Sequence, residues 1–274
     1  MIPPVVTWAD VPAAAVIADC RWYLDGRSGR AEYEAGHAPG AVFVDLDTAL
    51  AAPPSREGGR HPLPPPEVFA AAMTRIGVTD GTTVVAYDDA GGAIAARLVW
   101  LLRALGEEAA LLDGGLAAFP GTLRSGPLSD HAQVLRPGAF TPRPWPAERL
   151  ATIDDATDRS NVVLDARPPQ RYRGEVEPVD ARPGHIPGAL NAPTADNLTT
   201  GQRFETPDRL RRRFAGLGID DAGKVVSSCG SGVTACHNLL ALERAGLGIG
   251  RLYPGSWSAY AATDHPAATG DAPG

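Results

Sequence analysis

The sequence predicts an α/β protein in which one domain, a mainly parallel sheet flanked by helices, occurs twice in tandem. Three observations carry this expectation. Matching blocks recur in the same order in both halves of the chain, and 274 residues suffice for two domains of ordinary size. Short β-branched runs alternate with helical patterns, as parallel strands joined by crossover helices require. A proline-rich stretch separates the two sets of blocks.

Asp19-Cys20-Arg21 opens the first copy and Asp165-Ala166-Arg167 the second. Each is followed by a shared signature, Gly36-His37-Ala38-Pro39-Gly40-Ala41 and Gly184-His185-Ile186-Pro187-Gly188-Ala189. Thr83-Val84-Val85-Ala86-Tyr87-Asp88 then matches Lys224-Val225-Val226-Ser227-Ser228-Cys229. Finally, the block from Leu111 to Phe119 matches the block from Arg251 to Tyr260. Blocks kept in order twice over indicate a duplicated domain. The first domain is expected over residues 1–120, a linker over 121–149 and the second domain over 150–274. The linker holds Pro127, Pro137, Pro142, Pro144 and Pro146. Proline fixes φ and lacks an amide donor, so this stretch is expected to run extended over the surface. In the second copy, residues 161–165 and 224–227 read as buried strands, and 208–217 and 234–245 as amphipathic helices. Ligands of such sheets sit beyond the carboxyl ends of strands, which is where Cys229 falls.

Composition narrows the function. A formal charge of −7 leaves no basic footprint for nucleic acid. No apolar run reaches the roughly 20 residues that span a bilayer, so no membrane role is expected. Residues 1–10 lack the charged-then-apolar pattern of a signal peptide, which makes a cytoplasmic location the expectation. The three cysteines (Cys20, Cys229 and Cys236) are too few for a disulfide framework, and no two form a Cys-x-x-Cys pair. With no Cys/His cluster at metal spacing, neither a metal nor an organic cofactor is implied. A single reactive thiol becomes the chemical question.

Cys229-Gly230-Ser231-Gly232-Val233-Thr234 joins a predicted strand to a predicted helix. Its two glycines let successive amides turn toward one centre, and the helix amino terminus adds partial positive charge there. Such a cradle suits a sulfur anion, thiolate or persulfide. The duplication supplies an internal control. His37 and His185 recur, as do Arg21 and Arg167, so they are expected to serve the fold, the arginines as partners of Asp19 and Asp165. Cys229 occurs once, opposite Asp88, and a carboxylate cannot accept sulfur. The first copy is therefore expected to be catalytically silent.

The duplicated His-Pro-Gly signature, the Cys-Gly-Ser-Gly-Val-Thr loop and the Tyr-Pro-Gly-Ser-Trp-Ser block together resemble the tandem rhodanese sulfurtransferases, from about Trp8 to Tyr260. The resemblance implies two rhodanese-like domains and a double displacement through a Cys229 persulfide. The sulfur donor would be small and the acceptor cyanide or a thiol, such as a small thiol or a thioredoxin-type protein. Family members specific for thiosulfate follow the cysteine with two cationic residues, whereas those acting on 3-mercaptopyruvate follow it with Gly-Ser or Gly-Thr. Gly230 and Ser231 match the second pattern, and thiosulfate stands as the alternative donor. In that branch a Ser-His-Asp relay maps onto Ser231, His61 and Asp47, residues the first copy would lend in the case of His61 and Asp47. The loop residues Gly230, Gly232, Val233 and Thr234 would line the sulfur site, and Arg171 would bind a donor carboxylate. The family's second arginine, in a Pro-Glu-Pro-Arg block, is replaced by Val179, which leaves Arg182 or Arg173 as candidates for its place.

Each assignment has a plainer reading. Cys229 could be an inert buried thiol, although the glycine loop argues against that. Cys236, three and four residues before Leu239 and Leu240, reads as core packing, and Cys20 as structural. His61 could be a solvated loop histidine and Ser231 a helix cap. Arg103, Arg211, Arg212 and Arg213 read as solvated helix faces. A cysteine phosphatase of similar fold would need an arginine six residues after the cysteine, where Ala235 stands. A scaffold that has lost catalysis would not need an intact Cys229 loop.

Overall fold

The computed structural model describes residues 1–127 and 138–274. The chain forms two compact units that do not coincide with the sequence halves. The first contains Met1–Ala51, Pro64–Trp145 and Thr200–Phe204; the second contains Ala52–Leu63, Pro146–Thr199 and Glu205–Gly274.

In the first unit, β1 (Val5–Val6), β2 (Val16–Asp19), β3 (Val42–Phe43), β4 (Val84–Tyr87) and β5 (Ala109–Leu112) make a parallel sheet in the order β1-β5-β4-β2-β3. Every residue of β4 and β5 is buried, which is why these strands read as unbroken apolar runs rather than alternating ones. The helices are α1 (Gly29–Ala35), α2 (Pro66–Arg75) and α3 (Ala95–Ala104). Ser28 starts α1 by accepting the amide of Ala31, whereas α3 is buried almost throughout. Arg103 on α3 is accordingly not a solvated side chain, as its helical context suggested. Its guanidinium donates to the Ile2 and Ala109 carbonyls, tying the helix to a strand end and the amino terminus.

The second unit repeats the plan. Its strands β6 (Val162–Asp165), β7 (Leu190–Asn191), β8 (Val225–Ser228) and β9 (Arg251–Leu252) pair in parallel in the order β7-β6-β8-β9. The place that β1 takes beside β5 is held here by a single parallel bridge between Leu150 and Leu252. Helices α4 (Ile153–Thr157), α5 (Pro169–Tyr172), α6 (Pro207–Gly216), α7 (Ala235–Arg244) and α8 (Ser256–Tyr260) complete the unit. Thr152 and Asp155 form a reciprocal capping box at α4. The expected strands and helices of this copy fall within about one residue of their observed ends. Arg211 and Arg212 are exposed on α6 as expected, but Arg213 is not: it donates to Asn197 Oδ1 and the Pro193 carbonyl.

The duplicated signatures build duplicated struts. Arg21 grips Asp19 with two nitrogens and reaches the Gly36 carbonyl; Arg167 does the same with Asp165 and the Gly184 carbonyl. His37 stacks on Tyr33 with its Nδ1 2.8 Å from the Tyr33 carbonyl. His185 repeats this on Tyr172, again at 2.8 Å. These histidines and arginines are buried structural groups in both copies.

The proline-rich stretch is not all surface strand. Phe140 is buried edge-on against Phe69, and Trp145 donates to the Pro64 carbonyl, so residues 138–145 pack into the first unit. The expectation for Pro137 and its neighbours in 128–137 lies outside the described residues. Among the described residues no helix is long and apolar enough to cross a membrane.

Candidate active site

Cys229 follows β8 directly, at the carboxyl edge of the second sheet. Its side chain is buried, and the Gly232 amide donates to its Sγ at 3.1 Å. Gly232 has φ +77°, and a Cβ there would stand 2.4 Å from the Pro254 carbonyl oxygen, so the loop is shaped for glycine. The segment around α8 clamps the loop from outside: Trp257 and Ser258 amides donate to the Cys229 and Gly230 carbonyls at 3.0 and 2.8 Å.

Ser256 completes the clamp. Its Oγ accepts the Cys229 amide at 3.1 Å and donates to the Tyr253 carbonyl at 2.9 Å. It does so at φ +50°, a conformation that costs a side chain of its kind about 1 kcal/mol or more. The same turn in the first unit has glycine, Gly115, at φ +55°. The strained serine is kept where a cysteine amide must be held.

His61 lies in the 52–63 segment, within the second unit rather than on the first copy that carries it in sequence. Its Nδ1 is 2.7 Å from Ser231 Oγ, and both side chains are buried. His61 is thus no solvated loop residue, and Thr234, the N-cap of α7, makes no side-chain capping hydrogen bond. The segment reaches this place because Gly59, at φ +76°, lets the chain pass within touching distance of Gly255 and Ser258. The next amide, of Arg60, donates to Ser258 Oγ.

Two guanidiniums border Gly230. A Cβ on that glycine would lie 3.0 Å from Arg60 Nη2 and 3.5 Å from Arg171 Nη1. Both arginines pair with Asp180, and Arg171 also pairs with Glu177 at 2.7 Å. Glu177 in turn contacts Arg167 and accepts the amides of Val179 and Asp180. Burial pushes the Glu177 carboxyl up, but the Asp180 amide and Arg171 outweigh it and leave it below its ordinary value. For Asp180 burial prevails over Arg60 and Arg171, and its carboxyl sits above its ordinary value.

Cys229, Ser231, His61, Gly230, Gly232 and Arg171 therefore converge within one unit. Val233 is buried at the foot of α7 and Thr234 starts it. Asp47 belongs to the first unit, exposed in the short turn Leu46–Leu50, and accepts the Trp22 indole N–H at 3.0 Å. Arg182 is not among the groups nearest Gly230. Its Nη2 donates to the Tyr260 and His265 carbonyls, and its guanidinium lies over the Trp257 and Tyr260 rings. Arg173 pairs with Glu175 at the surface. The second arginine beside the loop is Arg60, whose only sequence signal was its place next to His61. Asp180 gave none, and Ser256 appeared only as part of the Tyr-Pro-Gly-Ser-Trp-Ser block, since the partners that matter, Arg60 and the Cys229 amide, are distant in the chain.

The other thiols are structural. Cys236, fully buried on α7, donates to the Gly232 carbonyl at 3.4 Å. Burial, with Asp19 and Asp88 nearby, pushes the Cys20 thiol well above its ordinary value. No group of three or more potential metal ligands occurs among the described residues.

Comparison with known proteins shows the family. A family model described as the rhodanese-like domain matches residues 9–121 and 148–263. A Pseudomonas aeruginosa protein provisionally named 3-mercaptopyruvate sulfurtransferase is 45% identical over 273 aligned residues, covering 93% of each chain. A Mycobacterium tuberculosis protein provisionally named thiosulfate sulfurtransferase is 40% identical, covering 88% of this chain and 86% of its own. Among solved structures, the 3-mercaptopyruvate sulfurtransferase from Leishmania major superposes with a TM-score of 0.82 at 32% identity, covering 94% of this chain and 74% of that one.

Proposed function

The chain belongs to the rhodanese family and is a sulfurtransferase, and from that premise we propose that it takes sulfur from 3-mercaptopyruvate onto Cys229 and passes it to a thiol or cyanide. The observation that carries the donor is the loop itself: Gly230 and Ser231 bring no charge, and Ser231 Oγ stands 2.7 Å from His61 Nδ1. A hydroxyl coupled to an imidazole can relay a proton to a carbon-centred leaving group, which a thiosulfate reaction does not require.

The Cys229 thiolate attacks the donor sulfur. The carbon–sulfur bond breaks, its electron pair goes to the methylene carbon as pyruvate enolate, and the donor's thiol proton ends on that carbon through Ser231 and His61. Cys229 is left as a persulfide anion, with the Gly232 amide directed at its inner sulfur. Arg171 and Arg60 are the groups available to the donor carboxylate. The acceptor thiolate then attacks the outer sulfur and regenerates Cys229. Asp47 is carried as the third member of the relay on the family resemblance alone. A small thiol or a thioredoxin-type protein in the cytoplasm is the acceptor this scheme favours.

A second reading rests on the same two guanidiniums. Arg60 and Arg171 beside Gly230 supply cationic groups that the loop sequence lacks, and these would suit thiosulfate. Assaying both donors with cyanide at one pH decides between them. The proposal expects the larger kcat/KM with 3-mercaptopyruvate; a tenfold preference for thiosulfate, about 1.4 kcal/mol of transition-state stabilisation, would reverse the assignment.

A further inference from the structure

The guanidiniums beside Gly230 are not free cations. Arg60, Arg167 and Arg171 are matched by Asp165, Glu177 and Asp180 in one connected cluster, three charges of each sign. The carboxylates differ in how they are used. Asp165 holds Arg167 in the strut that Asp19 and Arg21 repeat in the silent copy, so that pair serves the fold. Glu177 accepts two amides of its own loop and so shapes the chain. Asp180 is different. Its two oxygens go one to Arg60 and one to Arg171, the two arginines that reach Gly230. Both arginines also keep a buried Nε–H without a partner. Buried donors left over in a cationic pair mark room for another acceptor.

We propose that Asp180 is a specificity-determining residue: its carboxylate, shared by Arg60 and Arg171, competes with the donor's anionic group and cancels the excess charge that would favour a dianionic donor. The inference rests on the sulfurtransferase reading above and deepens it. With Asp180 ionised, the three guanidiniums and three carboxylates of the cluster balance, so Arg60 and Arg171 offer the donor hydrogen-bond donors without excess charge. Without it the cluster carries one net positive charge, from which a dianion gains more than a monoanion because attraction scales with the product of charges. Asp180 acts through the arginines and needs no contact with the transferred sulfur.

The test is Asp180→Asn in the full chain, assayed with 3-mercaptopyruvate and with thiosulfate against cyanide at low and high salt. The ratio of kcat/KM values should move toward thiosulfate by about fivefold or more, mainly through KM, and the shift should shrink as salt screens it. Asp180→Glu, which keeps the charge, should hold the wild-type ratio. Loss of both donors by one common factor, or an unchanged ratio, would overturn the proposal. Asp180→Ser covers an amide that does not fit. Should turnover be lost, alkylation of Cys229 by iodoacetate relative to iodoacetamide still reads the charge of the site. The proposal requires that ratio to rise in the Asn or Ser variant, and an unchanged ratio defeats it. The donor assignment fails on the wild-type ratio alone, whereas this inference fails only on the change between variants.

Discussion

The loop after β4 and the loop after β8 are the same device put to two uses. In the first, Asp88 is fully buried, and its two oxygens accept the amides of Ala90, Gly92, Ile94 and Ala95 at 2.8–2.9 Å. Burial pushes its carboxyl above the ordinary value against the pull of those four donors. In the second, the corresponding residue is Cys229, and the Gly232 amide meets its sulfur. Both loops are fastened alike: Leu116 donates to the Asp88 carbonyl and Trp257 to the Cys229 carbonyl, each at 3.0 Å. A nest of amides that holds an anion can be filled permanently by a carboxylate or reserved for a sulfur that comes and goes. On the function proposed above, this one exchange leaves the first copy silent and the second reactive.

The largest expected effect separates the two copies outright. Cys229→Ser should lower sulfur transfer to cyanide by roughly a thousandfold or more, because Cys229 is the one thiol of that loop and a hydroxyl does not carry a persulfide. Cys236→Ser, seven residues on, should keep most of the activity, which a cyanide assay checks directly.

Asp88→Ala attacks the comparison from the other side. It would orphan four amides, three of them in buried hydrogen bonds, each of those three costing about 1–3 kcal/mol unless water enters. The expected result is a strongly destabilised first unit, visible as a lower denaturation midpoint. Activity per folded molecule should change little. Loss of activity without loss of stability would show that the silent loop takes part in chemistry.

Ser256→Gly gives the reactive copy the glycine that the silent copy has at Gly115. It should relieve the φ strain yet free the Cys229 amide, lowering kcat by about tenfold with little change in KM or in the denaturation midpoint. A variant with unchanged kcat would mean that the serine merely fills space.

Glu177→Gln should have the smallest effect, a modest loss of stability at neutral pH that disappears in acid. The folded carboxyl lies below its ordinary value, so its contribution is complete above the unfolded value, near 4.3, and is lost as pH falls through the folded one. The variant should flatten the acid side of a stability profile, and a profile parallel to the wild type would remove Glu177 from that account.

The duplication made most of the fold legible. Strands β6 and β8 and helices α6 and α7 follow from apolar runs and periodicity, and Cys229 from being unmatched in the other copy. What stayed hidden depends on contacts across sequence distance. Nothing local in Gly58-Gly59-Arg60-His61 shows that these residues pack with the second unit; the fit of Gly59 against Gly255 decides it. Arg103 and Arg213 lie on helices whose pattern reads as half solvated, and only the carbonyls they meet reveal their burial. Arg182 looked suited to the donor because it lies close to the vacant position at Val179 in sequence. In space, the Tyr260 and His265 carbonyls claim it.

The central claim is that one loop of the two carries the sulfur. Intact-protein mass spectrometry of the chain treated with 3-mercaptopyruvate or thiosulfate, without acceptor, followed by peptide mapping, tests it most directly. The account predicts one added sulfur atom, located on Cys229 and removed by cyanide. Sulfur on Cys20 or Cys236, or none on Cys229 with either donor, would contradict it.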